Sequence, residues 1–153
     1  MTIAIFPGSF DPITKGHLDI LEQASKMFDK VIIAVAFNPE KKGFLSVEKR
    51  LLIIKECVKN FVNVEVDSYD GLTVNYAEKM SANVLIRGVR NSKDFEYEFE
   101  LAGINKTLNH SIETVFLIPS KENIFVSSSA VREIINNNGD LSAFLPQKAI
   151  DLL

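Results

Sequence analysis

The stretch TIAIFPGSFDPITKGHLDILEQASKMF, residues 2–28, decides the fold. Its first part, Thr2–Phe6, is a short apolar run without polar alternation, which is typical of a strand covered on both faces. From Leu18 onward, apolar residues recur at helical spacing. The intervening loop, Pro7–His17, contains glycine, threonine and histidine. A strand, such a loop and a helix in this order predict the first unit of an α/β sheet, with the loop at the edge where ligands bind.

The same alternation of strand and helix continues to the end of the chain. The further predicted strands are Val31–Phe37, Val64–Val66, Val84–Arg87 and Thr114–Ile118. The further predicted helices are Val47–Val58 after the N-cap Ser46, a short one at about Thr73–Ser81, one at about Ser92–Leu108, one that starts near Ser128 and stops at Asn136-Asn137-Asn138-Gly139, and a short tail after Pro146. This order predicts a parallel sheet with right-handed crossovers. We therefore expect an α/β fold in one domain, residues 1–153: a Rossmann-like, doubly wound, five-stranded parallel sheet with helices on both faces.

Composition limits the possible functions. The 153 residues carry a net charge of −3 and the pI is near 5.4. A basic groove for nucleic acid is therefore not expected, although a local site for a small anion is allowed. Cys57 is the only cysteine, which excludes an internal disulfide and a multi-cysteine zinc site. There is no apolar run of membrane-spanning length and no signal-peptide pattern at the start, so we expect a cytoplasmic protein that does not cross a membrane.

Two polar motifs stand where a predicted strand gives way to a predicted helix. Thr14-Lys15-Gly16-His17 opens the first helix, and Val126-Ser127-Ser128-Ser129-Ala130-Val131-Arg132 opens the fifth. Backbone amides at a helix start, aided by the helix dipole, favour phosphate. His17 on the first turn could donate a hydrogen bond to phosphate oxygens that gain charge in a transition state. The structural alternative is a capping loop with a packed histidine, and serines that serve only as N-caps.

Other loops at the same predicted edge supply cations. Arg87 closes a buried strand, which would be costly unless its guanidinium meets an anion, and its planar fork suits phosphate. Lys41 and Lys42 lie in the loop after the second strand, where adjacent lysines are usually just solvated. Three carboxylates alternate with aromatic residues in the fourth helix, where they could form no more than a hydrophilic face. No Asp/Glu cluster with metal-ligand spacing is visible.

Taken together, these stretches resemble the phosphopantetheine adenylyltransferases, a family of the nucleotidyltransferase superfamily marked by a Thr/His-x-Gly-His loop and a serine-rich segment that ends in arginine. The matching stretches are Pro7–His17, Asn38–Lys42, Val84–Arg90, Asp94–Glu98, Pro119–Glu122 and Val126–Arg132. Thr14, where histidine is commoner in the superfamily, favours this family. Departures are mild: Ser9 replaces a common threonine, Val126 a common isoleucine, and Asn123-Ile124 a more usual pair that contains an aromatic residue.

The resemblance implies that residues 1–153 form a single nucleotidyltransferase domain. Its reaction would join ATP and 4′-phosphopantetheine into dephospho-coenzyme A and pyrophosphate, the penultimate step of coenzyme A biosynthesis. The acceptor phosphate would attack the α-phosphate of ATP directly and in line, and His17 would be catalytic. The implied acceptor-binding residues are Ser9, Lys41, Thr73 and Arg87. The implied ATP-binding residues are Ser9, Phe10, His17, Gly88, Val89, Arg90, Glu98, Asn123, Ile124, Phe125, Val126, Ser127, Ser128 and Ser129.

The resemblance also implies partners. Magnesium would be carried by the ATP phosphates, and coenzyme A would act as an inhibitor of the product type. The chain would form a homohexamer, and the two apolar stripes of the fourth helix are compatible with a subunit interface, although core packing explains them equally well. Two other classes stay open. One is another nucleotidyltransferase, such as a nicotinate-nucleotide adenylyltransferase or a cytidylyltransferase. The other is a non-catalytic nucleotide-binding module of flavodoxin-like shape, which would have no need of His17.

Overall fold

The computed structural model describes residues 1–153 and contains one five-stranded sheet with six α-helices. The strands are β1 (Ile3–Gly8), β2 (Lys30–Ala36), β3 (Val64–Tyr69), β4 (Val84–Gly88) and β5 (Glu113–Leu117). The helices are α1 (Lys15–Met27), α2 (Val47–Cys57), α3 (Thr73–Lys79), α4 (Ser92–Leu108), α5 (Ser128–Asn136) and α6 (Gln147–Leu152). A short 3-10 helix, Lys121–Asn123, follows β5. No helix combines the length and the apolar character needed to span a bilayer.

All neighbouring strands are parallel, in the order β3-β2-β1-β4-β5. Ile5 at the centre of β1 lies opposite Ile32 of β2 and Leu85 of β4. The chain moves outward from β1 to β3, then returns to the centre and moves outward on the other side through β4 and β5. The loops after β1 and β4 therefore leave the sheet in opposite directions, which opens a crevice at their carboxyl ends.

Each face of the sheet has its own hydrophobic core. Ala4 and Phe6 of β1 point to the face covered by α1, α2, α5 and α6, whereas Ile5 points to the face covered by α3. Helix α4 packs beside α3 and β5 on that second side. The central strands are buried on both faces, which is why they read as unbroken apolar runs in the sequence. The predicted fold class is confirmed: an α/β, doubly wound, five-stranded parallel sheet.

Two strands run further than the apolar pattern indicates. β1 extends to Gly8 because Pro7 and Gly8 still lie opposite Ala34 and Val35 of β2. β3 extends to Tyr69, three residues beyond the predicted end. β3 is an edge strand, so polar residues continue its pairing with β2 without having to be buried on both faces. The extension of β1 is the more important one, since it carries the first motif up to the crevice.

Candidate active site

The crevice between the ends of β1 and β4 holds a polar cleft of about 340 Å³. It brings together twelve of the residues that the sequence predicts for the site. These are Ser9, Phe10, His17, Arg87, Gly88, Arg90, Glu98, Asn123, Val126, Ser127, Ser128 and Ser129. The two motifs, more than a hundred residues apart in the chain, therefore line the same cleft.

Five predicted site residues do not line the cleft. Lys41 is exposed in the loop between β2 and α2. Thr73 begins α3, and its hydroxyl is 2.8 Å from the phenol oxygen of Tyr69. Val89 is buried, and its backbone N–H donates to the carbonyl of Leu117. Ile124 is half-buried and Phe125 is 87% exposed beside the cleft wall. Their roles stay predictions.

The cleft also contains polar residues that the sequence reasoning did not assign to the site. Thr14, Asp94 and Arg132 all line it. Thr14 and Arg132 belong to the two motifs, so their place in those motifs was the available signal. Asp94 resembles a solvated carboxylate in the sequence. In the structure it accepts a hydrogen bond from Nε of Arg90 at 2.9 Å, and its place in the matching stretch Asp94–Glu98 is the signal that could have identified it.

His17 is held by a reciprocal cap at the start of α1. Its backbone N–H donates to Oγ1 of Thr14 at 3.3 Å, and its ring Nδ1 accepts the backbone N–H of Thr14 at 3.0 Å. This is a capping box in which a histidine takes the position usually held by glutamate or glutamine. Because Nδ1 is an acceptor in this arrangement, the neutral ring carries its proton on Nε2. The cap thus leaves an N–H donor on the imidazole at the cleft.

The surroundings of the imidazole keep it neutral. Burial, together with the positive charges of Arg90 and Arg87, lowers the pKa of His17 from 6.5 to about 4. Phe6 and Phe10 pack edge-on around the ring, with centroids 6.2 and 4.9 Å from it. The ring is therefore a fixed, uncharged hydrogen-bond donor at neutral pH and is not a general base with a pKa near 7.

The lowered pKa of His17 predicts a pH dependence of stability. The unfolded chain protonates this residue below pH 6.5, whereas the folded chain resists protonation until about pH 4. The unfolded state thus binds more protons in that window, and we expect the free energy of unfolding to fall by about 1.4 kcal/mol per pH unit as pH drops from 6.5 towards 4. Urea titrations of wild type and His17→Gln, which keeps the cap but does not titrate, measure the contribution. Parallel pH profiles for the two proteins would contradict it.

The anionic partner that the sequence predicts for Arg87 is the side chain of Glu98. Its Nε and Nη2 donate to the two carboxylate oxygens of Glu98, both at 2.7 Å, and its Nη1 donates to the carbonyl of Pro7 at 2.9 Å. Burial alone would lower the pKa of Arg87, but the hydrogen bonds and charge of Glu98 outweigh it and raise the pKa. One N–H on each terminal nitrogen is left for a ligand, because a guanidinium has five donors.

The serine motif forms a wall of the cleft and contacts the loop 7–17. Ser127 is the N-cap of α5, and Ser128 Oγ donates to the carbonyl of Pro12 at 2.9 Å. Arg132 donates to the carbonyl of Asp11 and to Oγ of Ser129. Gly16 packs against this wall, since a Cβ on it would lie 3.6 Å from the carbonyl of Val126. The amino ends of α1 and α5 therefore open on one cavity, an arrangement that favours a polyanion.

Helix α1 also holds the segment that leads into the serine motif. Asp19 accepts the backbone N–H of Ser120 at 2.6 Å and the side-chain amide of Asn123 at 3.3 Å. Burial would raise the pKa of Asp19, but the hydrogen bonds from Ser120 and its neighbours outweigh it and lower the pKa. Gln23, one turn further, donates to the carbonyl of Ile118. The helix that presents His17 thus also fixes Asn123, which lines the same cleft.

This combination favours binding and group transfer on a phosphorylated ligand. Three arginines and two helix starts supply positive charge, and His17 supplies a neutral donor. The Thr14 hydroxyl lies 3.2 Å from Nδ1 of His17, but this nitrogen already accepts the backbone N–H of Thr14, and the lowered pKa of His17 makes it a poor base for activating a hydroxyl. The cleft is equipped to stabilise charge in a transition state, with the nucleophile supplied by a substrate.

Comparison with known proteins agrees with this chemistry. A family model described as cytidylyltransferase-like matches residues 5–134. The chain is 45% identical over 151 residues to the phosphopantetheine adenylyltransferase of Clostridium perfringens strain 13, covering 99% of this chain and 92% of that protein. It is 49% identical over 146 residues to the phosphopantetheine adenylyltransferase of Caldanaerobacter subterraneus subsp. tengcongensis, covering 95% and 91%.

The fold also has a solved counterpart. The crystal structure described as that of "a Putative Nicotinate-nucleotide Adenylyltransferase" from Vibrio parahaemolyticus superposes with a TM-score of 0.77 at 20% sequence identity. The match covers 100% of this chain and 92% of that one. At this identity, the likeness concerns the fold alone.

Proposed function

This chain belongs to the cytidylyltransferase-like nucleotidyltransferases and, among them, to the phosphopantetheine adenylyltransferases; from that membership we propose a mechanism for its cleft. The enzyme transfers the adenylyl group of ATP to 4′-phosphopantetheine in coenzyme A biosynthesis, and dephospho-coenzyme A and pyrophosphate are the products. The proposed mechanism is direct: an oxygen of the acceptor phosphate attacks the α-phosphorus of ATP in line, and the bond to pyrophosphate breaks.

The fixed tautomer of His17 is the observation that carries this mechanism. An acceptor phosphate is already anionic at neutral pH, so the reaction needs no strong base. It needs the two phosphates to be held in line and the growing charge on the α-phosphate oxygens to be stabilised. The Nε2 proton of a neutral His17 suits the second task, and Arg87 and Arg90 beside it suit the first.

We propose that the two substrates approach from different sides of the cleft. The acceptor phosphate would contact Arg87, Ser9 and Lys41, and the start of α3 at Thr73 would contact the rest of the acceptor. ATP would lie along the wall formed by Gly88–Arg90 and by residues 123–129, near Glu98. All these groups come from one edge of one sheet, which supports the proposal that residues 1–153 are a single nucleotidyltransferase domain.

Magnesium is proposed to enter with ATP as part of that substrate. No group of three or more His, Cys, Asp or Glu side chains is placed to hold a metal ion. The anionic groups in the cleft, Asp94 and Glu98, are taken up by Arg90 and Arg87. The donor set therefore does not fit a protein-built magnesium site, and we assign no step to a metal bound by this chain.

The proposal extends to the release of the product, to inhibition by coenzyme A and to the compartment of the enzyme. Dephospho-coenzyme A contains the transferred adenylyl group and the acceptor, and it would leave from the same cleft. Coenzyme A differs from it by one phosphate group, so we propose that it competes for the same contacts and inhibits the enzyme. We further propose that the enzyme works in the cytoplasm, where its phosphorylated substrates would be at hand.

Release of pyrophosphate tests the choice of acceptor. The assay supplies ATP and magnesium together with either 4′-phosphopantetheine or nicotinate mononucleotide. We expect release with 4′-phosphopantetheine and none above background with nicotinate mononucleotide. Release with nicotinate mononucleotide alone would favour a nicotinate-nucleotide adenylyltransferase, and release with neither acceptor would favour a non-catalytic nucleotide-binding module.

We also propose that a second copy of this chain covers helix α4, as in a homohexamer. Only Glu98 of α4 is buried in the single chain. Much of its two apolar stripes stays exposed, with Phe99 64%, Ile104 57% and Leu108 53% accessible, whereas Leu101 and Ala102 are half-buried. A contiguous apolar face of this kind is typical of a surface that binds another protein. Core packing within one chain therefore does not explain these residues.

Charge placed on this face is expected to break the assembly. Phe99→Glu should convert a homo-oligomer, a hexamer in our proposal, into smaller species, because an ionised carboxylate is costly in an apolar interface. Size-exclusion chromatography with light scattering measures the mass. Val62→Glu is the matched control, since Val62 is fully exposed and lies in the turn before β3, away from α4. A monomeric wild type, or an unchanged mass in Phe99→Glu, would contradict the proposal.

A further inference from the structure

Asp11 and Arg50 form a buried charged pair that the proposed mechanism does not use. They are 7% and 5% exposed, and Nε of Arg50 lies 3.9 Å from Oδ1 of Asp11. Neither residue lines the cleft. A charged pair in a protein interior is costly to desolvate, so its hydrogen-bond partners indicate what it does.

The Asp11 carboxylate holds the loop that carries Lys41. Its Oδ2 accepts the backbone N–H of Phe44 and its Oδ1 that of Leu45, both at 2.8 Å. Nε of Arg50 donates to the carbonyl of Leu45 at 3.1 Å. These contacts fix the end of the loop 38–45 only three to four residues after Lys41.

Arg50 also contacts the loop 7–17, to which Asp11 itself belongs. Nη1 of Arg50 donates to the carbonyl of Ser9, a cleft residue, at 3.0 Å. The main-chain carbonyl of Asp11 accepts Nη1 of Arg132, also at 3.0 Å. The pair is thus a direct mechanical link between the loop 38–45 and the wall of the cleft.

Gly43 shows how closely the loop fits against the pair. A Cβ built on Gly43 would lie 2.8 Å from Nη2 of Arg50 and 2.9 Å from Oδ2 of Asp11. Any larger residue would have to displace the loop or the pair. Backbone and charged groups therefore meet with no spare room at the position two residues after Lys41.

We propose that Asp11 and Arg50 are positioning residues that hold Lys41 over the cleft to bind the acceptor phosphate. The inference rests on the proposed function, since it takes Lys41 as a ligand of that phosphate. The rival explanation is that the pair only stabilises the start of α2, whose N-cap, Ser46, follows Leu45. The two explanations predict different kinetics. Only the positioning role predicts a raised KM for 4′-phosphopantetheine with an unchanged KM for ATP.

Asp11→Asn and Gly43→Ala test the inference by kinetics. The amide of asparagine turns a donor towards one of the two loop N–H groups, and the alanine Cβ pushes the loop away from the pair. For each variant we expect the KM for 4′-phosphopantetheine to rise about tenfold, with the KM for ATP within about twofold of wild type. Because Asp11→Asn keeps the main-chain contact to Arg132, we expect the residues proposed to bind ATP to stay in place.

Ile54→Val is the matched control. Ile54 is fully buried on the same helix as Arg50, so its truncation lowers stability without touching the loop. We expect this variant to keep both KM values. A second readout is cleavage by trypsin after Lys41 and Lys42, which should accelerate in Asp11→Asn and Gly43→Ala but not in Ile54→Val. An acceptor KM within twofold of wild type in both loop variants, or a parallel rise of both KM values, would overturn the inference.

Lys41→Met, measured beside these variants, distinguishes the proposed role of Lys41 as a ligand of the acceptor phosphate from the positioning role of Asp11 and Arg50. A raised acceptor KM in Lys41→Met with an unchanged one in Asp11→Asn would keep the lysine's role and overturn the positioning role. The reverse pattern, an unchanged acceptor KM in Lys41→Met with a raised one in Asp11→Asn, would remove Lys41 from the acceptor site and overturn the inference that the pair acts through this lysine. If both hold, the two changes should be less than additive in the double variant, because the lysine contributes little once its loop is released.

Discussion

His17→Ala is expected to lower kcat by about 100- to 1000-fold, the usual cost of removing one preorganised transition-state donor. The KM for ATP should stay within about threefold of wild type, because Arg90, Arg132 and the start of α5 remain to bind the phosphates. Steady-state kinetics with each substrate varied in turn measures both quantities. A comparable loss in ATP affinity and in kcat would assign His17 a binding role.

The geometry explains why the loss should fall on kcat. Thr14 holds the ring by its Nδ1 atom, and burial with the nearby arginines keeps it neutral. The Nε2 proton is thus in place before the reaction begins, and it does not have to be gained or reoriented during turnover. A donor fixed in this way contributes most when charge on the phosphate oxygens is greatest.

His17→Gln is the informative control for this prediction. A glutamine at the third position of the helix can accept the backbone N–H of Thr14, as in an ordinary capping box. The start of α1 should therefore stay intact. We expect this variant to have the ATP affinity of wild type, and to recover part of kcat only if its amide can donate from the position of the imidazole. A loss of folding in His17→Ala that His17→Gln repairs would show how much of the effect comes from the cap.

The sequence predicts the fold well where a segment is buried on both faces. β1, β2 and β4 read as apolar runs because side chains on both faces enter a core. The order of the strands was not predictable in the same way. Alternation of strand and helix predicts parallel strands with right-handed crossovers, and a doubly wound sheet returns once to its centre, but the pattern does not say that the return follows β3. That return creates the crevice in which the site lies.

The site was predictable to the extent that its residues belong to motifs. His17 and the serine segment stand at helix starts, a position that sequence reveals directly. The Arg87–Glu98 pair joins a strand end to the middle of a helix, so its two partners can be recognised separately but their contact cannot. Asp11 belongs to the Pro7–His17 stretch, but nothing in the sequence indicates that its carboxylate is paired with Arg50 of α2. A buried arginine on α2 looks in the sequence like an ordinary charged residue on the solvated side of a helix.

Arg87→Met is expected to cause the second large effect, a combined loss of stability and of acceptor binding. The Glu98 side chain is 9% exposed and that of Arg87 25% exposed. Removing the arginine leaves the carboxylate buried without its partner, which costs about 3 kcal/mol of unfolding free energy, the low end for a broken buried pair. The KM for 4′-phosphopantetheine should rise about 10- to 100-fold through loss of charge-assisted hydrogen bonds. Urea unfolding and acceptor kinetics measure the two effects.

Arg87→Met with Glu98→Leu separates these two effects. Replacing both members of a buried pair with apolar residues removes the stranded charge, so most of the lost stability should return. The acceptor KM should stay high, because no guanidinium is left to bind the phosphate. If the double variant recovered acceptor binding together with stability, Arg87 would be a structural residue and the acceptor phosphate would have to be held elsewhere. Arg87 has free donors towards the cleft even while paired with Glu98, so the pair serves to orient a cation that is also available to a ligand.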